Sequence, residues 1–179
     1  MWAPMRELAV TAVGADRPGI VAAITGALLR IGGNLEDVRA ALLRGSFATV
    51  LAVAVPDDVT AADVIAALRP VGEELGLGIW VGEAAPKAPG PPRPRCVVSV
   101  YGADHPGIVH GVTSALAERG ANVIDLSARL VGDPPIYVVG LEIELPEGVE
   151  ADALQTALHT VAEGLEVELT VEPEEDEVL

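Results

Sequence analysis

Apolar positions follow a strand-like spacing near the start of the chain and then change to a helical spacing. Leu8, Val10 and Ala12 fall on one side of an extended segment, which predicts a strand with one buried face. Apolar residues then recur three or four positions apart from Ile20 to Ile31, which is typical of an amphipathic helix. Gly32 follows directly, and glycine at that place predicts the end of the helix.

The pattern continues with a hairpin, a second helix and a further strand. Two apolar runs, over 34–43 and 46–55, predict strands joined by a tight turn at Gly45. Thr60 is placed to cap the helix that follows, and Asp63 lies in its first turn. The fourth strand is predicted from the alternation of Leu77, Ile79 and Val81.

The second half of the chain repeats the first in register. The segment "VGADRPGIVAAITGALLRIGGN" (13–34) returns as "YGADHPGIVHGVTSALAERGAN" (101–122), displaced by 88 residues. The order βαββαβ therefore occurs twice, which predicts an α+β chain of two ferredoxin-like domains. Each is an antiparallel four-stranded sheet with both helices on one face. The elements of the second half are expected as a strand from Cys96, a helix from Pro106, strands from Asn122 and Ile136, a helix from Val149 and a strand from Leu165.

Composition places the domain boundaries. The first domain is predicted over 1–83 and the second over 96–172, with an acidic tail over 173–179. The segment 84–95 contains five prolines, which favours a semi-rigid extended linker over a proline-rich ligand for another protein.

Charge and cysteine content exclude several classes of function. The net charge of −16 and a pI near 4.3 argue against direct binding to nucleic acid or to an anionic membrane. A single cysteine, Cys96, forms no internal disulfide, and its place in an apolar strand predicts a buried thiol. The most apolar run, 47–55, is too short to span a bilayer, and no signal peptide is recognisable. The expected location is the cytoplasm.

The two predicted sheets differ on the face that the helices leave open. Aligned positions are apolar in the first domain and acidic in the second. We therefore predict that the open face of the first sheet is an interface, with the second domain or with a second chain, and that the protein is a homodimer. The aligned residues are Ala52, Ala54 and Trp80 in the first domain and Glu142, Glu144 and Glu168 in the second.

The repeated loop after the first strand has the chemistry for an α-amino acid. Unpaired N–H groups of the first helical turn suit a carboxylate, and Gly19 permits close approach. Asp16 suits an ammonium group, and the amide of Asn34 can both donate and accept. The same residues also have structural interpretations, with Asp16 as a helix N-cap and Asn34 as a turn residue.

The quoted repeat resembles the opening of ACT domains, which are βαββαβ modules that bind amino acids. Two such modules without a catalytic domain are similar to the glycine cleavage system transcriptional repressor family. That resemblance implies a small amino acid, glycine in particular, bound between the first loop and helix of one unit and a neighbouring unit. It also implies regulation of a protein partner, a transcription regulator, without direct DNA contact.

By this resemblance each domain carries one candidate site, although the loops differ at Arg17 and His105. Either site could therefore have changed its ligand or lost binding. The implied ligand-binding residues are Asp16, Gly19, Ile20 and Asn34 in the first domain and Asp104, Gly107, Ile108 and Asn122 in the second.

Enzymatic and metal-binding alternatives have less support. No catalytic triad signature or dinucleotide fingerprint is present, and His105, His110 and His159 lack metal-ligand spacing. Acylphosphatase-like enzymes share this element order and use an arginine after the first strand. Arg17 lies nearby, but Asp16 beside it would repel a phosphate. We expect no enzyme activity, no cofactor and no metal. A constitutive interaction module without a ligand is the main alternative.

Overall fold

The computed structural model describes residues 5–84 and 93–174, and the chain divides into two compact units. Unit 1 is the first βαββαβ segment and unit 2 is the second. Most of the predicted linker (85–92) and of the predicted acidic tail (175–179) lies outside the described residues. The exact domain boundaries therefore stay predictions.

Both units have the predicted element order, and each forms one antiparallel four-stranded sheet. The sheet orders are β2-β3-β1-β4 in unit 1 and β6-β7-β5-β8 in unit 2. Unit 1 consists of β1 (Met5–Ala15), α1 (Ile20–Arg30), β2 (Asn34–Leu43), β3 (Ser46–Pro56), α2 (Ala61–Leu75) and β4 (Leu77–Glu83). Unit 2 consists of β5 (Arg95–Gly102), α3 (Ile108–Glu118), β6 (Asn122–Val131), β7 (Ile136–Glu144), α4 (Ala151–Gly164) and β8 (Val167–Pro173).

The core of each unit lies between the sheet and its two helices. Leu8 and Val10 of β1 are fully buried, and Ile24 and Leu28 of α1 pack in the same cluster. The strand and helix periodicities thus bury the predicted faces. Cys96 is 2% exposed in unit 2, and this burial raises the pKa of its thiol. The prediction of a buried cysteine is confirmed.

Three elements of unit 2 begin two residues later than predicted. Helix α3 begins at Ile108 because Gly107, with φ of 104°, leaves the helical region immediately before it. Strand β8 begins at Val167 because Leu165 still bonds to α4, and Glu166 reverses the chain with φ of 51°. Helix α4 begins at Ala151, after a turn closed by the Val149 N–H.

The predicted cap of the second helix is confirmed as a reciprocal capping box. The Asp63 backbone N–H donates to Thr60 Oγ1 at 3.3 Å, and the Thr60 backbone N–H donates to Asp63 Oδ2 at 2.8 Å. Hydrogen bonds from the Thr60 hydroxyl and then its backbone lower the pKa of Asp63. Two otherwise unpaired donors at this helix start are therefore satisfied.

The open face of the first sheet is apolar as predicted, but one aligned pair is wrong. Trp80 lies opposite Thr11, and the equivalent residue opposite Ser99 is Thr170. Glu168 shares that face, two residues out of register, because the longer second hairpin changes the offset between the repeats. Ala54 is buried, Ala52 is half-buried and Trp80 is 59% exposed. Their role as an interface stays a prediction.

Candidate functional site

The repeated loop places a glycine with positive φ immediately before a buried helix start in both units. Gly19 has φ of 95°, and Gly107 has φ of 104°. Ile20 and Ile108 follow as the first helical residues and anchor the helices, with 2% and 1% of their surface exposed. These glycines fix the direction in which the first helical N–H groups point, since residues with a Cβ rarely adopt such φ values.

No side chain of the described residues caps the first turn of either helix. The first helical hydrogen bonds run from Ala23 N–H to Gly19 at 2.9 Å and from Gly111 N–H to Gly107 at 2.8 Å. The three N–H groups before each of these donors have no intrahelical acceptor. Their partial positive charge favours an anion, such as a carboxylate, at this position.

Asp16 is not the helix cap, so that structural alternative is wrong. Its backbone N–H donates to the Gly45 carbonyl oxygen at 2.8 Å, which ties the loop to the β2–β3 hairpin. Its side chain is exposed and accepts no hydrogen bond from the described residues, and the same holds for Asp104 in unit 2. Both carboxylates are therefore available to a cationic group.

The structure separates the predicted asparagines from these loops. Asn34 lies opposite Ala54, whereas the loop end of β1 lies opposite Ser46. Eight residues of β3 correspond to roughly 25 Å. Asn122 is similarly remote, opposite Glu144 rather than Tyr137. Within one unit, Asp and Asn therefore do not form a single site, because the intervening helix carries the chain back to the far end of the sheet.

Unit 2 has a depression of about 360 Å³ at its helix start. The predicted residues Asp104, Gly107 and Ile108 line it. Five residues that the sequence analysis did not assign to ligand binding complete the lining: His105, Pro106, Val109, His110 and Tyr137. A small amino acid could be held here between a carboxylate, the first helical turn and an aromatic wall. After the longer hairpin the two repeats are offset by 90 residues, which aligns Tyr137 with Phe47. This alignment is the sequence feature from which an aromatic residue at the site could have been predicted.

Unit 1 carries different residues at the equivalent positions. Arg17 replaces His105, Ala22 replaces His110 and Phe47 replaces Tyr137. Phe47 is 8% exposed and belongs to the core of unit 1. The two loops thus share a backbone geometry but differ in the side chains around it.

His105 fastens the unit 2 loop to the end of α4. Its Nδ1 lies 3.1 Å from the Pro106 carbonyl oxygen, and its Nε2 lies 2.8 Å from the Leu165 carbonyl oxygen. Because carbonyl oxygens only accept, both contacts are hydrogen bonds together only when the ring is doubly protonated. The bonds to Pro106 and Leu165 raise the pKa of His105, with a smaller contribution from the carboxylates of Glu166 and Asp104.

This geometry predicts a pH-dependent contribution of His105 to stability. A raised folded pKa means that the stabilisation is complete below the unfolded pKa of about 6.5 and is lost as pH rises through the folded pKa. We expect wild-type Tm to fall more over this range than that of His105→Gln, as measured by calorimetry at a series of pH values. His159→Gln removes an exposed α4 histidine and should keep most of the wild-type dependence, because its pairing with Glu163 is open to solvent. Identical pH profiles for wild type and His105→Gln would contradict the prediction.

Residues 5–84 and 93–174 contain no cluster of side chains suited to a metal ion. Over the same ranges, no helix is long and apolar enough to cross a membrane.

The chain therefore consists of two small α+β modules in tandem. Each module is ferredoxin-like and has an uncapped helix start after its first strand. The ACT domain family model matches residues 6–81 and 95–172. The chain therefore belongs to the ACT domain family, as the repeat motif predicted.

Relatives cover either one unit or most of the chain. The glycine cleavage system transcriptional repressor of Escherichia coli is 36% identical over 68% of this chain and 64% of its own length. A UPF0237 protein of Methanopyrus kandleri is 41% identical over 43% of this chain and 87% of its own. A crystal structure of an unknown protein from Galdieria sulphuraria has a TM-score of 0.83 at 28% identity, covering 96% of this chain and 99% of that one.

Proposed function

We propose that this chain is a non-enzymatic regulatory protein that binds a small amino acid, glycine in particular, at its helix-start loops. The observation that carries the proposal is the uncapped first turn of α3 beside the free carboxylate of Asp104. The ACT domain family and the similarity to a glycine cleavage repressor support a regulatory role. In this proposal the chain acts in the cytoplasm on a protein partner, in the transcriptional control of amino-acid metabolism.

The two charges of an amino acid match two features of the unit 2 site. The ligand carboxylate accepts hydrogen bonds from the N–H groups of Ile108 and Val109, where the helix dipole also favours negative charge. The ligand ammonium group faces the Asp104 carboxylate. The depression suits a small side chain, with Tyr137 and His110 at its wall.

The predicted output is a change in contact with another protein. A ligand at the loop makes different contacts in each packing arrangement of the loop against a neighbouring unit. It therefore shifts the equilibrium between two such arrangements by the difference in its affinity for them. Asn34 and Asn122 can contribute to such a site only from a neighbouring unit, because each is remote from its own loop.

Thermal shift measurements with each proteinogenic amino acid test the proposal. A ligand that saturates a native-state site raises Tm by mass action, and about 2.7 kcal/mol is gained at a hundredfold excess over Kd. We expect glycine to raise the wild-type Tm and Asp104→Asn to remove this shift. Asp104→Asn should fold with nearly unchanged stability, because its carboxylate accepts no bond from the described residues.

The matched control is Asp133→Asn, which makes the same charge change in the exposed β6–β7 turn of unit 2. It should keep the glycine shift. If no amino acid raises Tm even at millimolar concentration, the sensor proposal fails. The alternative of a constitutive interaction module is then favoured. Its supporting observation is that the protein's own contacts at Gly45 and Leu165 already tie down the loops.

A further inference from the structure

The outer edge of the last strand is blocked in unit 2 by a side chain of the neighbouring helix. Gln155 of α4 donates from Nε2 to the Leu169 carbonyl oxygen at 3.0 Å. Its Oε1 accepts from the Val171 backbone N–H at 2.6 Å. The amide thus occupies two of the outward groups that an added strand would use, which is one way to protect an exposed sheet edge.

The equivalent edge in unit 1 lacks this protection. Position 65 of α2, which aligns with 155, is an isoleucine that is 42% exposed. Ile79 and Val81 pair with β1 in the same register as Leu169 and Val171 pair with β5. The Ile79 carbonyl and the Val81 N–H therefore point outward in the same way. No side chain among residues 5–84 and 93–174 hydrogen-bonds to them.

A shallow groove of about 260 Å³ runs between α2 and this open edge. Helix and strand approach closely at Gly72, where a Cβ would lie 3.1 Å from the Leu77 carbonyl oxygen and 3.4 Å from Ile79 Cδ1. The groove is mainly apolar and carries one charge of each sign. Its lining residues are Ile65, Arg69, Gly72, Glu73, Leu77 and Ile79.

We propose that β4 pairs antiparallel with β4 of a second copy of this chain, joining two unit 1 sheets into one continuous sheet. Antiparallel pairing of identical strands has twofold symmetry, so the same groups are donors and acceptors in both copies. The outward groups of Ile79 and Val81 supply the hydrogen bonds. The Ile65 side chains of both copies pack together beside the paired β4 strands and cover the apolar groove. Its lining residues differ from those of the proposed amino-acid site.

The charges beside the groove fit a second copy. Arg69 and Glu73 lie one turn apart on α2, on either side of the point where Gly72 meets Ile79. A twofold axis at Ile79 sets the two α2 helices antiparallel. It therefore brings Arg69 of each copy toward Glu73 of the other.

The overall charge also favours association through unit 1 rather than unit 2. Residues 5–84 contain six arginines and ten acidic residues, whereas residues 93–174 contain four arginines and fourteen acidic residues. Like-charge repulsion therefore opposes self-association of unit 2 more strongly. The same unit is the one whose edge Gln155 covers.

Sedimentation velocity of the full chain over a range of concentrations tests this pairing. We expect wild type to be a dimer and Ile65→Gln, which installs the unit 2 cap on β4, to dimerise roughly a hundredfold more weakly or not at all. Ile65→Leu is the matched control and should remain dimeric. A monomeric wild type overturns the proposal, and so does an Ile65→Gln protein as dimeric as wild type.

A charge exchange separates this edge from any other dimer surface. Arg69→Glu should weaken dimerisation, because each copy then places two carboxylates against two carboxylates. The double variant Arg69→Glu/Glu73→Arg should restore it, since the reciprocal pairs form again with opposite polarity. Failure of the double variant to recover when Arg69→Glu is weakened contradicts an antiparallel α2 arrangement.

Discussion

Replacing Gly14 by alanine is expected to destabilise unit 1 by about 3 kcal/mol. A Cβ at Gly14 would lie 2.7 Å from Leu77 Cδ2 and 2.8 Å from the Gly76 carbonyl oxygen. The second contact is with backbone, so a side-chain rotation cannot relieve it. Strand β1 and the α2–β4 turn must then move apart where the candidate ligand loop begins. The free energy of unfolding, from urea denaturation, measures the loss.

Gly26→Ala is the matched control for this prediction. Gly26 lies inside α1, and a Cβ there would meet nothing within 4 Å. Because alanine favours the helix over glycine, this variant should gain about 0.5–1 kcal/mol. Equal stability of Gly14→Ala and wild type would show that the strand and the turn do not approach this closely.

The fold could be predicted from sequence because the spacing of apolar residues is characteristic of each strand and helix. The same order of spacings occurs in both halves of the chain. Two of the three two-residue errors, at α3 and β8, arose where a single backbone angle decides the residue at which the element begins. Pro106 is a good first helical residue, but the positive φ of Gly107 delays the helix by two positions. Likewise, nothing in the sequence marks Glu166 as the residue that reverses the chain.

The candidate site was less accessible to sequence reasoning because it depends on register in space. Asp16 and Asn34 flank one helix in the sequence, yet that helix places them at opposite ends of the sheet. Tyr137 was missed because the longer hairpin changes the repeat offset before it. Gln155 carries no motif at all, and its role depends on the strand edge that it faces.

The backbone angle at Gly107 should control ligand binding, because it sets the direction of the N–H groups in the first turn of α3. Alanine at a φ of 104° is strained by about 1–3 kcal/mol, and relief of this strain reorients the N–H groups of the first α3 turn. We expect Gly107→Ala to lose glycine binding by roughly tenfold or more, as measured by isothermal titration calorimetry. The stability of unit 2 should fall by about the strain energy.

Loss of stability alone could also weaken binding, and Gly148→Ala separates the two effects. Gly148 precedes α4, has φ of 81° and, like Gly107, would place a Cβ in open space. The two variants should therefore lose similar stability for the same backbone reason. Only Gly107→Ala changes the helix start of the depression, so Gly148→Ala should bind glycine as wild type does. Equal loss of affinity in both variants would mean that the first turn of α3 does not hold the ligand.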